Sequence, residues 1–499
     1  MGYNNNMKYF ITLFLAITSL NCFADEGSIS LFPLLHYDQH VSTWIKESDA
    51  DFDKSLLSPE TQQKHLELFY NHYFGSASPW SREYVTQILN QAPPENLPTI
   101  EQSVLNHFNN KAKPNDKIGY GANFRPYSDA WIVALTKNID IEQLGHLSYS
   151  ANHRAIAIDN LAARVLPTHE VHFFSYKLAG QGYPFDNLQM SALWAGTPLY
   201  VLTTTRDHAW SLVLAPDIVA WVPSNGIAYV SVDFVNTWSA AAKNKMLAIT
   251  RTQKSLLDAE GNYLFSAYVG MVFPGVGDGD DFTLWVPVAD GNHHALIKKV
   301  AISSDAATIM PLRATPQHFS FLMNTLISRP YGWGGMYFYN DCSAELKSLF
   351  TPFGIWLPRH SSYQVNAGKM VDMSYAAPEK RLAYLMEQGQ RFVTIVYIGG
   401  HVMLYMGNYS NPDDGKTQTA MTYQNIWGLS PTPPTRRAVI GQSVFLPLLL
   451  QYPEDGSLVS LANKKFFQVS FLNQLPAADS LLRVKRIDMK ALMYFDQDE

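Results

Sequence analysis

The chain has 499 residues, 47% hydrophobic, 13% aromatic and 16% charged, enough apolar material for large cores and too long for one ordinary domain. Its formal net charge is −6, and it has no run of five or more Lys/Arg, which argues against a chain built to grip a phosphate backbone. Nucleic acid is therefore excluded as the expected partner.

The N-terminus reads as a targeting segment. Lys8 precedes an apolar run from Tyr9 to Leu20, followed by Cys22-Phe23-Ala24 and the acidic pair Asp25-Glu26, the pattern of a secretory signal cut after Ala24. The run falls short of the about 20 apolar residues that span a bilayer. Asn21 stands where a lipidated cysteine would want a small residue. Export is expected, to the periplasm first and to the medium as the alternative, with no membrane span in the mature chain. Of the two cysteines only Cys342 then survives, and a lone thiol in an oxidising compartment is either inert and buried or reactive.

From Asp25 to about Lys111 the apolar spacing is helical, as in Pro59 to Phe69 and Trp80 to Leu89, until Pro93, Pro94 and Pro98 interrupt it. From about Arg125 to Val235 short β-rich runs alternate with Gly, Pro, Asn and Asp, among them Trp194 to Thr203, Trp210 to Leu214 and Ile218 to Val222. A second β-rich stretch, Ala248 to Val300, has turn signals at Asp258–Gly261 and Gly275–Gly279. After Pro311 the pattern is mixed: a helical run from Gln317 to Ile327, the segment Tyr331-Gly-Trp-Gly-Gly335, a helix from Cys342, then strands.

Asp341 is a good N-cap, and Leu346, Leu349, Phe350 and Phe353 form one stripe, so Cys342 is expected in a helical first turn, where the dipole favours the nucleophilic thiolate. A thiol nucleophile needs a base and a group that orients it. His401 is the candidate base: it follows Gly399-Gly400, the turn after the strand Phe392 to Ile398, and opens the strand His401 to Met406. The strand Thr417 to Gln424 returns after the loop 411–415, and a turn centred between Pro412 and Asp413 sets Gln424 opposite His401. A one-residue slip presents Tyr423 or Asn425 instead.

The C-terminal region resembles the NlpC-type cell-wall cysteine peptidases. The resemblance rests on Tyr331–Gly335, Asp341-Cys342-Ser343, Leu357-Pro-Arg-His-Ser-Ser362, Gly400-His401-Val402 and Tyr405-Met-Gly407. It implies a multi-domain fold: a signal peptide (1–24), a helical N-terminal stabilising domain (25–124), two small all-β SH3-like barrels (125–240 and 241–305) and a C-terminal α+β papain-like catalytic domain (306–499). By resemblance Cys342 is the nucleophile, His401 the general base and Gln424 the third member, with Tyr331, Asp341, Ser343 and Ser361 lining the substrate groove. Arg359 pairs either with substrate carboxylates or with an internal acid. The implied substrate is a peptidoglycan stem peptide, cut between γ-D-glutamate and the following diamino acid, with no cofactor or metal. Ala344 replaces the glycine many members carry, and Gln424 a histidine. A wall-binding protein without activity and an acyltransferase on the same frame are the competing functions.

Other signals are set aside. His169 and His172 are three apart in a β-rich region, the wrong spacing for a helical zinc pair. His293-His294 reads as a turn, and the 11 tryptophans are scattered as core residues are.

Overall fold

A computed structural model describes residues 30–114, 117–175, 178, 180–277, 279, 281–410, 416–432, 437–476 and 487–493. The signal segment and the loop 411–415 lie outside them.

The N-terminal segment is shared among its neighbours. Strand β1 (Ser30–Leu31) and helix α1 (Val41–Trp44) precede α2 (Pro59–Phe74), α3 (Arg82–Leu89) and α4 (Leu97–Phe108). Ser58, Ser81 and Asn96 cap the last three, each side-chain oxygen accepting an N–H three residues on. Pro59 sits at the first helical position of α2, where its missing donor costs nothing. Val41, Ile45 and Leu57 are buried in the C-terminal core. Leu66, Phe69 and Tyr73 of α2 are buried in one cluster with Met246, Val272 and Trp356.

The stretch expected to be β-rich from Arg125 opens instead with α5 (Asp129–Ile139) and α6 (Ile141–Leu144). Ile132, Leu135 and Ile139 recur at helical spacing and are buried with α4 in one core. Strands β2 (Arg154–Ala157), β3 (Leu161–Arg164), β4 (Gln189–Leu193), β5 (Pro198–Thr204), β6 (Trp210–Leu214), β7 (Val219–Pro223) and β8 (Ile227–Tyr229) then form a sheet in the order β4-β3-β7-β6-β5-β2-β8. Of the β-rich run expected from Trp194 to Thr203, the first residues form a turn at Gly196 and the rest is β5, while β4 lies just before it.

Helix α7 (Val232–Asn244) leads to β9 (Met246–Ile249), β10 (Lys254–Leu257), β11 (Tyr263–Ala267), β12 (Val272–Val276), β13 (Asp281–Ala289), β14 (Ala295–Ser303) and β15 (Ala307–Ile309). Five pair in the order β14-β13-β12-β9-β15, and β10 and β11 form a separate hairpin whose turn is closed by Asp258. These are the two SH3-like all-β units of the expected architecture.

The C-terminal α+β unit holds α8 (Pro316–Leu326), α9 (Cys342–Phe350), α10 (Ser361–Gln364), β16 (Lys369–Asp372), α11 (Pro378–Gln388), β17 (Thr394–Tyr397), β18 (Val402–Ser410), β19 (Gln418–Leu429), β20 (Ala438–Leu448), β21 (Gln468–Phe471) and α12 (Met489–Met493). The sheet order is β1-β20-β19-β18-β17-β21-β16, with β1 added in parallel at the edge. Alternation divides its faces: Val402, Leu404, Met421 and Tyr423 share a core with α9, and Met403, Tyr405, Val444 and Leu446 share one with α11. Helix α12 returns to the first barrel, burying Met489 and Met493 in the core that holds α4.

Candidate active site

Helix α9 starts at Cys342 because Asp341 caps it, Oδ1 accepting from the Ala344 N–H at 3.0 Å. Leu346, Leu349 and Phe350 bury the helix in the core below. Cys342 is 7% exposed. Its Sγ lies 4.0 Å from the Gly400 carbonyl oxygen and accepts the Val402 N–H, so the thiol rests against backbone on both sides of His401.

His401 precedes β18 directly, and its Nε2 is 2.7 Å from Gln424 Oε1. Gln424 is fully buried, and its Nε2 donates to Thr422 Oγ1 at 2.8 Å, which turns the amide oxygen toward the imidazole. Nε2 of His401 then carries the proton and Nδ1 is the basic nitrogen. The register differs from the expected one. Leu404 pairs with Tyr423, so regular continuation sets Gln424 opposite Met403, two residues from His401. A two-residue shift keeps every side chain on its face, and the contact spans the diagonal.

Burial works against the expected thiolate. Burial, then the Asp341 carboxylate, push the Cys342 thiol up to about 12, against the opposing pull of the Val402 N–H, Arg359 and the Ser343 N–H. Desolvation pulls His401 down to about 4, with the Gln424 hydrogen bond resisting. Both shifts favour the uncharged forms, a thiol and a neutral imidazole. Such a pair performs nucleophilic chemistry by moving the proton from sulfur to nitrogen as the new bond forms.

Of the expected groove residues, three converge beneath the thiol. Arg359 is buried and paired with Asp341; it also donates to Ser343 Oγ at 2.6 Å, Ser191 Oγ at 2.9 Å and the Met190 carbonyl at 3.1 Å. The internal-acid alternative for Arg359 is thus the arrangement present. Ser343 Oγ also reaches Asp341 Oδ1 at 3.3 Å. Tyr331 is held by its N–H on the Gly441 carbonyl, 2.8 Å away. Its phenol is raised well above 10, first by burial and then by Cys342 and Asp341 beside it. Ser361 opens α10, two residues beyond Arg359.

The first barrel forms a wall of this site. Gly334 and Gly335 adopt φ of +58° and +77°, and a Cβ on them would stand 2.3 Å from the Gln189 carbonyl oxygen and 2.5 Å from the Ala192 nitrogen, so only glycine lets the loop meet β4. Phe185 adds edge-on contacts to Trp333 and Trp427. Lys347 on α9 pairs with Asp217 of the barrel. A small cavity lies where Tyr73, Ser191, Asp217, Gly270, Lys347 and Arg359 meet; Cys342 does not line it.

Sequence reasoning missed Glu345. A charge one residue from the apolar stripe reads as solvated, yet Glu345 is fully buried in α9. Of the histidines set aside, His172 packs against the Phe108 and Tyr127 rings, His169 lies beside Trp210, and His293 and His294 are exposed.

Comparison with known families matches residues 328–428 to the NlpC/P60 family and 172–223 to an SH3 domain of the SH3b1 type. The C-terminal domain belongs to the NlpC/P60 family. Among solved structures, a novel NlpC/P60 endopeptidase from Photobacterium damselae subsp. piscicida is 28% identical with a TM-score of 0.75, covering 90% of this chain and all of its own. An NlpC/P60 family protein from Bacillus cereus ATCC 10987 is 15% identical with a TM-score of 0.38, covering 62% of this chain and 98% of its own. No curated protein matches the chain. With its NlpC/P60 domain the chain is a cysteine peptidase acting on cell-wall peptides. Among the described residues no helix is long and apolar enough to cross a membrane.

Proposed function

We propose that the protein is an exported endopeptidase that cuts peptidoglycan stem peptides between γ-D-glutamate and the following diamino acid, using Cys342, His401 and Gln424. The observation that carries this reading is the thiol at the start of α9, held between the backbone groups flanking His401, whose Nε2 is fixed by Gln424. In this reading Nδ1 of His401 takes the Sγ proton as sulfur attacks the γ-glutamyl carbonyl carbon. The imidazolium passes that proton to the amine of the departing diamino acid, leaving a thioester on Cys342. Water, deprotonated by His401, then adds to the thioester, and collapse releases the γ-glutamyl carboxylate and restores the thiol. Gln424 holds the ring but carries no charge, so the imidazolium is stabilised less than it would be beside an acid.

Tyr331, with its phenol near the thiol, and Ser361 line the groove in this reading. Asp341, Ser343 and Arg359 act as one buried unit that shapes its floor, and the first barrel closes one end so that a stem with a free N-terminal L-alanine fits best.

Mass spectrometry of products from defined muropeptides tests the proposal. New termini at γ-D-glutamate and at the diamino acid support it. Transfer to an added amine in place of water indicates an acyltransferase, and intact muropeptides that remain bound indicate a wall-binding protein.

A further inference from the structure

Three polar groups converge on Glu345 of α9, one turn below the thiol. Glu345 Oε1 accepts from the Tyr423 hydroxyl and from Ser443 Oγ at 2.9 Å, and Oε2 accepts from Asn340 Nδ2 at 2.8 Å. The carbonyl of Asn340 in turn accepts from Asn425 Nδ2 at 2.9 Å and from the Gly332 N–H at 2.9 Å. Asn340 is two residues before Cys342, Tyr423 and Asn425 flank Gln424 on β19, and Ser443 lies across from Asn425 on β20. One buried carboxylate thereby ties the segment leading into the nucleophile to the strand that carries the group orienting the base.

We infer that Glu345 is a positioning residue, setting the separation between Cys342 on α9 and the His401–Gln424 pair on the sheet. This rests on the functional reading above. An apolar side chain would fill the same core at lower cost, because burying a carboxylate is unfavourable unless its hydrogen bonds are complete. Here both oxygens are hydrogen-bonded, and every donor comes from a segment adjoining the site. Apolar contacts of Leu346 and Leu349 hold α9 to the sheet without direction, whereas three hydrogen bonds to one carboxylate fix its axial and rotational setting. Displacements of about 1 Å are enough to lower a chemical step 100-fold.

The test is a set of variants assayed on L-Ala-γ-D-Glu-diaminopimelate. Glu345→Gln turns an amide against Asn340 Nδ2, so kcat is expected to fall at least tenfold with KM within twofold. Asn340→Asp combined with Glu345→Gln re-forms that hydrogen bond with donor and acceptor exchanged, and is expected to recover most of kcat. Tyr423→Phe and Ser443→Ala, which leave the carboxylate in place, are expected to lower kcat less. Wild-type kcat and KM in folded Glu345→Gln, or a double variant no better than the single one, overturns the inference. Should Glu345→Gln not fold, unchanged kcat in both Tyr423→Phe and Ser443→Ala overturns it. The wild-type arm separates the two claims: no cleavage there refutes the functional reading, whereas wild-type cleavage with indifferent variants refutes only the role of Glu345.

Discussion

His401 Nε2 and Gln424 Oε1 stand 2.7 Å apart, although strand pairing places Gln424 opposite Met403 and not His401. The contact is diagonal and depends on a glutamine whose amide is already fixed by Thr422. Gln424→Ala frees the imidazole to rotate and to change tautomer. Losing a hydrogen bond to a group that becomes charged costs about 1.5–3 kcal/mol, so kcat is expected to fall roughly 10- to 100-fold. Steady-state kinetics check this, with KM expected to change little.

Arg359 and Asp341 form a buried ion pair. Arg359→Met leaves a buried carboxylate without its partner, a defect of about 3–5 kcal/mol, and raises the neighbouring thiol further by removing a positive charge that lowers it. Both activity and thermal stability are expected to drop. Adding Asp341→Asn removes the stranded charge and keeps a helix cap, so the double variant is expected to melt above Arg359→Met alone. Calorimetry of the two proteins decides it.

Gly335→Ala places a Cβ 2.5 Å from the Ala192 nitrogen at a φ of +77°. Neither backbone can yield without separating the loop from β4. The expected result is a loss of activity well beyond the loss of stability, read by comparing kcat/KM with the melting temperature.

How much of this site was legible depends on sequence distance. Asp341 as a cap and Cys342 as a helix start are local features, and neighbouring residues suffice to show them. Gln424 came from strand parity, which survives a register error of two. The partner of Arg359 was left open because Asp341, 18 residues away, reads locally as a helix cap, and the other groups around the guanidinium, Ser191 and Met190, belong to another domain. Helix α5 was overlooked because the Gly, Pro and Asn punctuation beyond it coloured the whole stretch from Arg125. Glu345 gave no signal, since only the fold brings Asn340, Tyr423 and Ser443 to it.

Glu101 provides a test outside the site. It is buried on α4 with Trp221 Nε1 donating to it at 3.1 Å, and burial raises its carboxyl from 4.5 to about 8. The raised value means that its contribution is fully present below pH 4.5, declines as the unfolded chain ionises and the folded chain does not, and is lost as pH rises through about 8. Glu101→Gln, which keeps an acceptor for Trp221, is expected to be more stable than wild type at pH 9 and nearly equal at pH 4. Thermal melts at the two pH values check the sign.

The central claim is that Cys342 forms a thioester with the γ-glutamyl group. The most direct measurement is intact-protein mass spectrometry after rapid acid quench of enzyme and L-Ala-γ-D-Glu-diaminopimelate. An adduct of the L-Ala-γ-D-Glu acyl group on the peptide containing Cys342, absent in Cys342→Ala along with all cleavage, is the predicted result. Cleavage of the γ-glutamyl bond by purified Cys342→Ala would contradict it.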